Sequence, residues 1–128
     1  MKKEIIYSNQ APTPIGPYSQ AVRFGNLMFC SGQIALDVET GELVQASIEL
    51  ETKKVMENIE ALLKSVGLSW VNVLKTSIFL SDMTLFSAVN SIYDTYFDDN
   101  FPARETVAVK QLPRNANVEI TITAAFFD

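Results

Sequence analysis

The chain has 128 residues, 48% hydrophobic and 20% charged, with a net charge of −5 at pH 7, an ordinary globular balance for one domain, 1–128, that can bury roughly two thirds of its unfolded surface. Histidine is absent and the one cysteine is Cys30, which excludes Ser-His-Asp triads, imidazole acid/base chemistry, an intrachain disulfide and a Cys/His zinc site. Ten basic against fifteen acidic residues leave no cationic surplus for gripping nucleic acid.

Met1–Lys3 is basic, but only Ile5–Tyr7 follows as an apolar stretch, too short for a signal-peptide core. Apolar runs reach four residues at most, in Leu27–Cys30 and Ala124–Phe127, so no segment is expected to span a bilayer and the expected location is cytoplasmic. Glu4–Tyr7 reads as a first strand. The stretch Ser8–Ser19, with Pro12, Pro14, Gly16 and Pro17, reads as an extended, stiffened loop. Gln20–Phe24 and Leu27–Ser31 flank Gly25-Asn26 and predict a hairpin. Asp37–Glu42 predicts a turn.

A first helix is expected from Ser47, as N-cap with Glu49 and Glu51 in the first turn, to Gly67 as its left-handed stop. Val55, Ile59, Leu62 and Val66 form its apolar stripe. Val73–Leu80 reads as a strand. A second helix is expected from about Thr84 to Phe97, with Phe86, Val89, Tyr93 and Tyr96 on one core face. Arg104–Val109 and Val118–Ala125 supply two more strands around a Leu112-Pro113-Arg114-Asn115 turn. The pattern β-β-β-α-β-α-β-β predicts an α+β fold, a sheet with two helices on one face.

Side chains alternate across a strand. Val118, Ile120 and Ile122 therefore share one face, with Glu119, Thr121 and Thr123 on the other. In the preceding strand Val107 and Val109 are expected under the helices, leaving Arg104, Thr106 and Ala108 on the Glu119 face. That open face reads as small and weakly polar, without the lysines of a solvated sheet, and suits burial against another subunit.

Arg104 and Glu119 are the residues on it that could carry chemistry. One reading is an ion pair inside a subunit interface, the commoner arrangement. The other makes Arg104 a bidentate carboxylate receptor, with Glu119 left to hold or activate a water. Ser31-Gly32-Gln33 ends a strand where a ligand could approach the backbone, and Tyr18 could cover a pocket or anchor its loop. Cys30 reads as a small buried hydrophobe.

Five segments together resemble a known family. Ile15-Gly16-Pro17-Tyr18-Ser19-Gln20-Ala21, Cys30-Ser31-Gly32-Gln33-Ile34, Val89-Asn90-Ser91-Ile92-Tyr93, Phe101-Pro102-Ala103-Arg104 and Leu112-Pro113-Arg114 with Val118-Glu119-Ile120 occur in the order and spacing of the reactive intermediate deaminase family, RidA or YjgF. The resemblance implies a chorismate-mutase-like fold with a mixed six-stranded sheet, and a homotrimer with sites between subunits. It implies hydrolysis of 2-imino or enamine acids, such as 2-iminopropionate and 2-iminobutyrate, to 2-oxo acids and ammonia. By position, Arg104 would bind the substrate carboxylate and Glu119 the attacking water. Tyr18, Ser31 and Gly32 would line the pocket, and Asn90 and Thr106 would be further site residues. No metal and no cofactor is implied. Glu105 departs from the Ser or Thr common after the arginine, and Thr106 stands where many members have cysteine.

Two other functions compete with that reading. One is a module that holds a small carboxylate between subunits without turnover, against which Arg104 argues. The other, ranked lower, is the ribonuclease activity described for some relatives, for which this acidic chain is poorly built.

Overall fold

The computed structural model describes residues 2–127. In chain order its elements are β1 (Glu4–Ile6), β2 (Ala21–Phe24), β3 (Leu27–Cys30), α1 (Ile48–Ser65), β4 (Val73–Leu80), α2 (Phe86–Asp94), β5 (Ala103–Ala108) and β6 (Val118–Ala125). The six-stranded sheet runs β1-β2-β3-β6-β4-β5, with β4 and β5 parallel and all other neighbours antiparallel. Both helices lie on one face, as the pattern of the sequence predicts.

Local chemistry sets the helix ends. The Ser47 hydroxyl accepts the Leu50 N–H at 3.1 Å and starts α1. Gly67, at φ +77°, turns the chain so that the Leu68 N–H reaches the Leu63 carbonyl at 2.9 Å. Between them Val55, Ile59 and Leu62 are fully buried. Helix α2 is shorter at both ends than the expected Thr84–Phe97. The Asp82 carboxylate accepts the Thr84 N–H at 2.8 Å and tightens Met83–Leu85 into a 3₁₀ turn. At the far end the Thr95 hydroxyl donates to the Ile92 carbonyl at 2.6 Å. Tyr96 and Phe97 then leave the helix and pack edge-on against Trp70, ring centroids 5.4 Å apart in each pair.

The β4–β6 ladder pairs Thr76 with Ile122, Ile78 with Ile120 and Leu80 with Val118, all six buried beneath the helices. Glu119, Thr121 and Thr123 alternate onto the other face, as expected. The phase of β5 is the reverse of the expected one. Its parallel register sets Arg104 beside the buried Thr76 and Thr106 beside Ile78, so both side chains are on the helix side. Glu105 and Val107 pair with Ser77 and Phe79 and lie on the open face. The physical reason is position. β5 is an edge strand, so its helix-side residues meet the rim of α2 rather than the core, and its valine joins an apolar surface on the far side of the sheet.

That open face exposes larger apolar side chains than the sequence suggests and, against expectation, it also carries a lysine, Lys75. Register pairing aligns Ile5, Val22, Phe29, Thr123 and Lys75 across the sheet, and Phe29 and Val107 remain 47% and 45% exposed. Glu105 points away from Arg104 and lies on the open face, where its carboxylate pairs with Lys75 at 2.9 Å and accepts the Ser77 hydroxyl.

Buried polar side chains tie the irregular segments to this frame. Asn58 of α1 donates to the Ile34 and Leu36 carbonyls at 3.1 and 2.9 Å. Gln20 donates to the Ser8 and Pro12 carbonyls at 3.0 and 2.9 Å, which fastens the Pro-rich loop. Glu51, fully buried, accepts the Asn117 backbone and side-chain N–H groups at 2.7 and 3.0 Å, anchoring the chain just before β6. Glu51→Ala should therefore cost about 2–3 kcal/mol in denaturant unfolding, because it strands two partly buried donors. Glu51→Gln, whose amide carbonyl still accepts, should cost clearly less.

Candidate functional site

Two clefts, one on each side of the sheet, divide the expected site residues between them. The first forms where β5 begins beside α2. Phe86, Asn90 and Tyr93 stand four and three residues apart, so they share the helix face turned to β5. Arg104 reaches up to that face, and its Nη1 donates to Asn90 Oδ1 at 2.7 Å. Its Cζ lies 5.1 Å from the Tyr93 ring centroid and 5.6 Å from that of Phe86. Asn90, Ser91, Tyr93, Asp94, Phe101, Pro102 and Arg104 enclose an open cleft of about 500 Å³. Thr106 follows Arg104 on the same face, and its buried hydroxyl has no hydrogen-bond partner among the described residues.

The second cleft, about 280 Å³, is lined by Tyr18, Gly32, Arg114 and Glu119 with Pro12, Ile15, Ile34 and Leu36 as an apolar wall. An isolated bridge builds it. The Gln33 and Ile120 backbones exchange hydrogen bonds of 2.9 and 3.1 Å, which brings Gly32 alongside Glu119. A Cβ added at Gly32 would fall 2.9 Å from both the Glu119 carboxyl carbon and Oε2. A side chain at this position would have to displace the Glu119 carboxyl, so the glycine lets that carboxyl pack against the backbone. The Tyr18 hydroxyl accepts the Ile15 N–H at 3.3 Å, which folds its ring over the mouth of the loop. Burial pushes the Glu119 carboxyl above the usual carboxylate range.

Several expectations change with these positions. Arg104 and Glu119 do not share a face: they are on opposite sides of the sheet. Ser31 does not line either cleft. Its hydroxyl donates to the Ser19 carbonyl at 2.6 Å and its amide to that of Gln20 at 2.9 Å, so it positions the Tyr18 loop. Arg114, read in the sequence only as part of a turn, lines the Glu119 cleft with a left-handed backbone, φ +56°, and donates to the Gly41 carbonyl at 2.9 Å. Phe86 and Tyr93, read only as core, flank Arg104; the spacing of Phe86, Asn90 and Tyr93 carries that signal. Among the described residues no group of His, Cys, Asp and Glu could hold a metal, and no helix is long and apolar enough to cross a membrane.

The fold and its two clefts define a small α+β protein with an arginine-bearing cleft on the helix side of the sheet and a separate carboxyl-bearing cleft on the other. The profile of the family described as Endoribonuclease L-PSP matches residues 8–126. A RutC family protein of Pyrococcus abyssi is 44% identical over 124 residues, covering 97% of this chain and 98% of its own. The 2-iminobutanoate/2-iminopropanoate deaminase of Mus musculus is 42% identical over 122 residues, 95% of this chain and 90% of its own. The crystal structure of E. coli TdcF with bound serine superposes with a TM-score of 0.92 at 34% identity, covering 97% of this chain and 99% of that one. The chain belongs to the RidA/YjgF family.

The raised carboxyl of Glu119 has a measurable sign. Its proton is held more tightly in the folded than in the unfolded state, so its contribution to stability falls as pH rises through the range where the unfolded group ionises. Glu119→Gln should consequently stabilise the protein near pH 7 and change little near about pH 3, where both states are protonated. Chemical denaturation at the two pH values checks this.

Proposed function

We propose that the protein hydrolyses small 2-imino acids, such as 2-iminopropionate and 2-iminobutyrate, to the 2-oxo acid and ammonia. The observation that carries this reading is the Arg104 guanidinium, held at the cleft by a neutral amide through one N–H. A fork of donors remains for a substrate carboxylate. An iminium carbon is already electrophilic. Water adds to it, the C–N bond of the tetrahedral adduct breaks, and ammonia departs as the carbonyl forms. The reaction needs an oriented substrate and a placed water, and effective-molarity effects of about 7 kcal/mol or more are available from such positioning. A chain without histidine can supply that. Glu119, with its raised carboxyl, is suited to taking the proton from water as it attacks.

The separation of Arg104 from Glu119 by the sheet supports a site shared between subunits. We infer a homotrimer in which the Arg104, Asn90 and Thr106 half of one subunit meets the Glu119, Gly32 and Tyr18 half of the next. The exposed apolar face around Phe29 and Val107 is suited to the burial that such assembly requires. The mouse relative's name as an imine deaminase agrees with the chemistry. A second reading, a carboxylate-binding module without turnover, is favoured by one observation, the serine bound to TdcF. The net charge of −5 weighs against RNA as a substrate.

The deciding experiment generates 2-iminobutyrate in situ with an amino-acid oxidase and follows imine decay. Acceleration by this protein supports the deaminase, and no acceleration for several imino acids leaves the binding module. Arg104→Ala should lower the rate by about 10²- to 10⁴-fold, from two charge-assisted bonds lost at roughly 1.5–3 kcal/mol each. Lysine there should rescue poorly, because it presents a point charge. Inactive Arg104→Ala and Glu119→Gln chains, refolded together in equal amounts, should recover about one quarter of wild-type activity, the share of sites that pair two intact halves in a random trimer. A site contained in one chain would recover nothing.

A further inference from the structure

The arginine that the proposed function depends on is held by groups that carry no charge. Phe86, Asn90 and Tyr93 present two rings and an amide from one face of α2. The Arg104 Cζ lies 5.6 and 5.1 Å from the ring centroids, within the range where an aromatic quadrupole attracts a guanidinium. The rings are themselves fixed. The Tyr93 hydroxyl bonds Thr76 Oγ1 at 2.9 Å, and Thr76, fully buried, is the register partner of Arg104 across β4 and β5. The Tyr93 ring also packs against Phe97 at 4.9 Å. Phe86 rests on the main hydrophobic core and does not line the cleft.

An alternative partner is close by. Asp94 lines the same cleft, yet no ion pair joins it to Arg104 among the described residues. A carboxylate partner would neutralise the guanidinium and compete with an anionic ligand. Aromatic faces and an amide oxygen restrain it while leaving its charge intact. They also restrict, before any ligand arrives, the rotamers that a long side chain on an edge strand would otherwise lose on binding.

We propose that Phe86 and Tyr93 form an aromatic cradle that positions Arg104 and sets the affinity of the cleft for carboxylates. Phe86 is the positioning residue that acts through the arginine alone. This inference rests on the reading of Arg104 as the carboxylate receptor.

The test is NMR titration of the folded protein with 2-oxobutyrate, a carboxylate of the product class, together with kinetics on 2-iminobutyrate. Phe86→Leu and the volume-matched Phe86→Met should each weaken 2-oxobutyrate binding about three- to tenfold. KM should rise in parallel, with kcat within about twofold of wild type. Phe86→Tyr, which keeps the ring, should restore affinity. In an Arg104→Ala background Phe86→Leu should cause no further loss. Wild-type affinity in both Phe86→Leu and Phe86→Met overturns the cradle. So does a loss that Phe86→Tyr fails to repair, or one that persists without the arginine. Wild-type binding by Arg104→Ala itself would overturn the receptor reading and the cradle with it, whereas loss there with none at Phe86 overturns the cradle alone.

Discussion

The antiparallel ladder between β4 and β6 is the constraint from which the rest of the structure follows. Its pairs Ile78–Ile120, Leu80–Val118 and Thr76–Ile122 bury both strands under the helices, and period-two alternation then leaves no choice about Glu119, Thr121 and Thr123. A one-residue slip would expose three branched apolar side chains and bury a carboxylate. At about 25 cal/mol per Å² of apolar surface, such a slip would cost several kcal/mol. The same ladder sets β5, since β5 pairs only with β4 and inherits its phase through the parallel register. Thr76 thus serves two neighbours, Ile122 in one strand and Arg104 in the other.

The loops that line the clefts are tied to the frame by polar side chains. Gln20, Asn58 and Glu51 are buried side chains whose hydrogen bonds go to backbone groups of irregular segments. Each satisfies groups that a loop packed on the core could not otherwise pair. The chain around Tyr18, Gly32 and Asn117 is held by them in turn. Ser31 belongs with this set: its hydroxyl is spent on the Ser19 carbonyl, and its effect on the cleft is exerted through the Tyr18 loop.

The two charged side chains of the clefts are kept apart by the sheet. One cleft has a guanidinium restrained by neutral partners, the other a carboxyl with a proton affinity raised by burial. Keeping them on opposite faces prevents the ion pair that would otherwise quench both groups within a chain. The proposed trimer would bring them together only where a substrate carboxylate can lie between them. In that arrangement assembly and activity are one property, and an isolated subunit would hold two incomplete sites.

Much of this architecture follows from local patterns. The Ser47 cap, the Gly67 stop, the Val55-Ile59-Leu62 stripe and the β6 alternation are short-range signals. Each is realised because hydrophobic burial and backbone sterics act over a few residues at a time. The family's motifs likewise name Arg104, Glu119, Gly32 and Tyr18 without any structure. What the sequence could not determine is the face of β5. Its alternation offers valines on one side and a mixed set on the other, and both faces of an edge strand at an uncovered sheet are partly apolar. Only pairing with β4, a contact between residues nearly thirty positions apart, chooses between them, and that choice places Arg104 beneath α2 and away from Glu119. The role of Gly32 is equally non-local. The carboxyl that packs where its Cβ would lie comes from a strand far along the chain, brought alongside by one backbone bridge that no local pattern encodes.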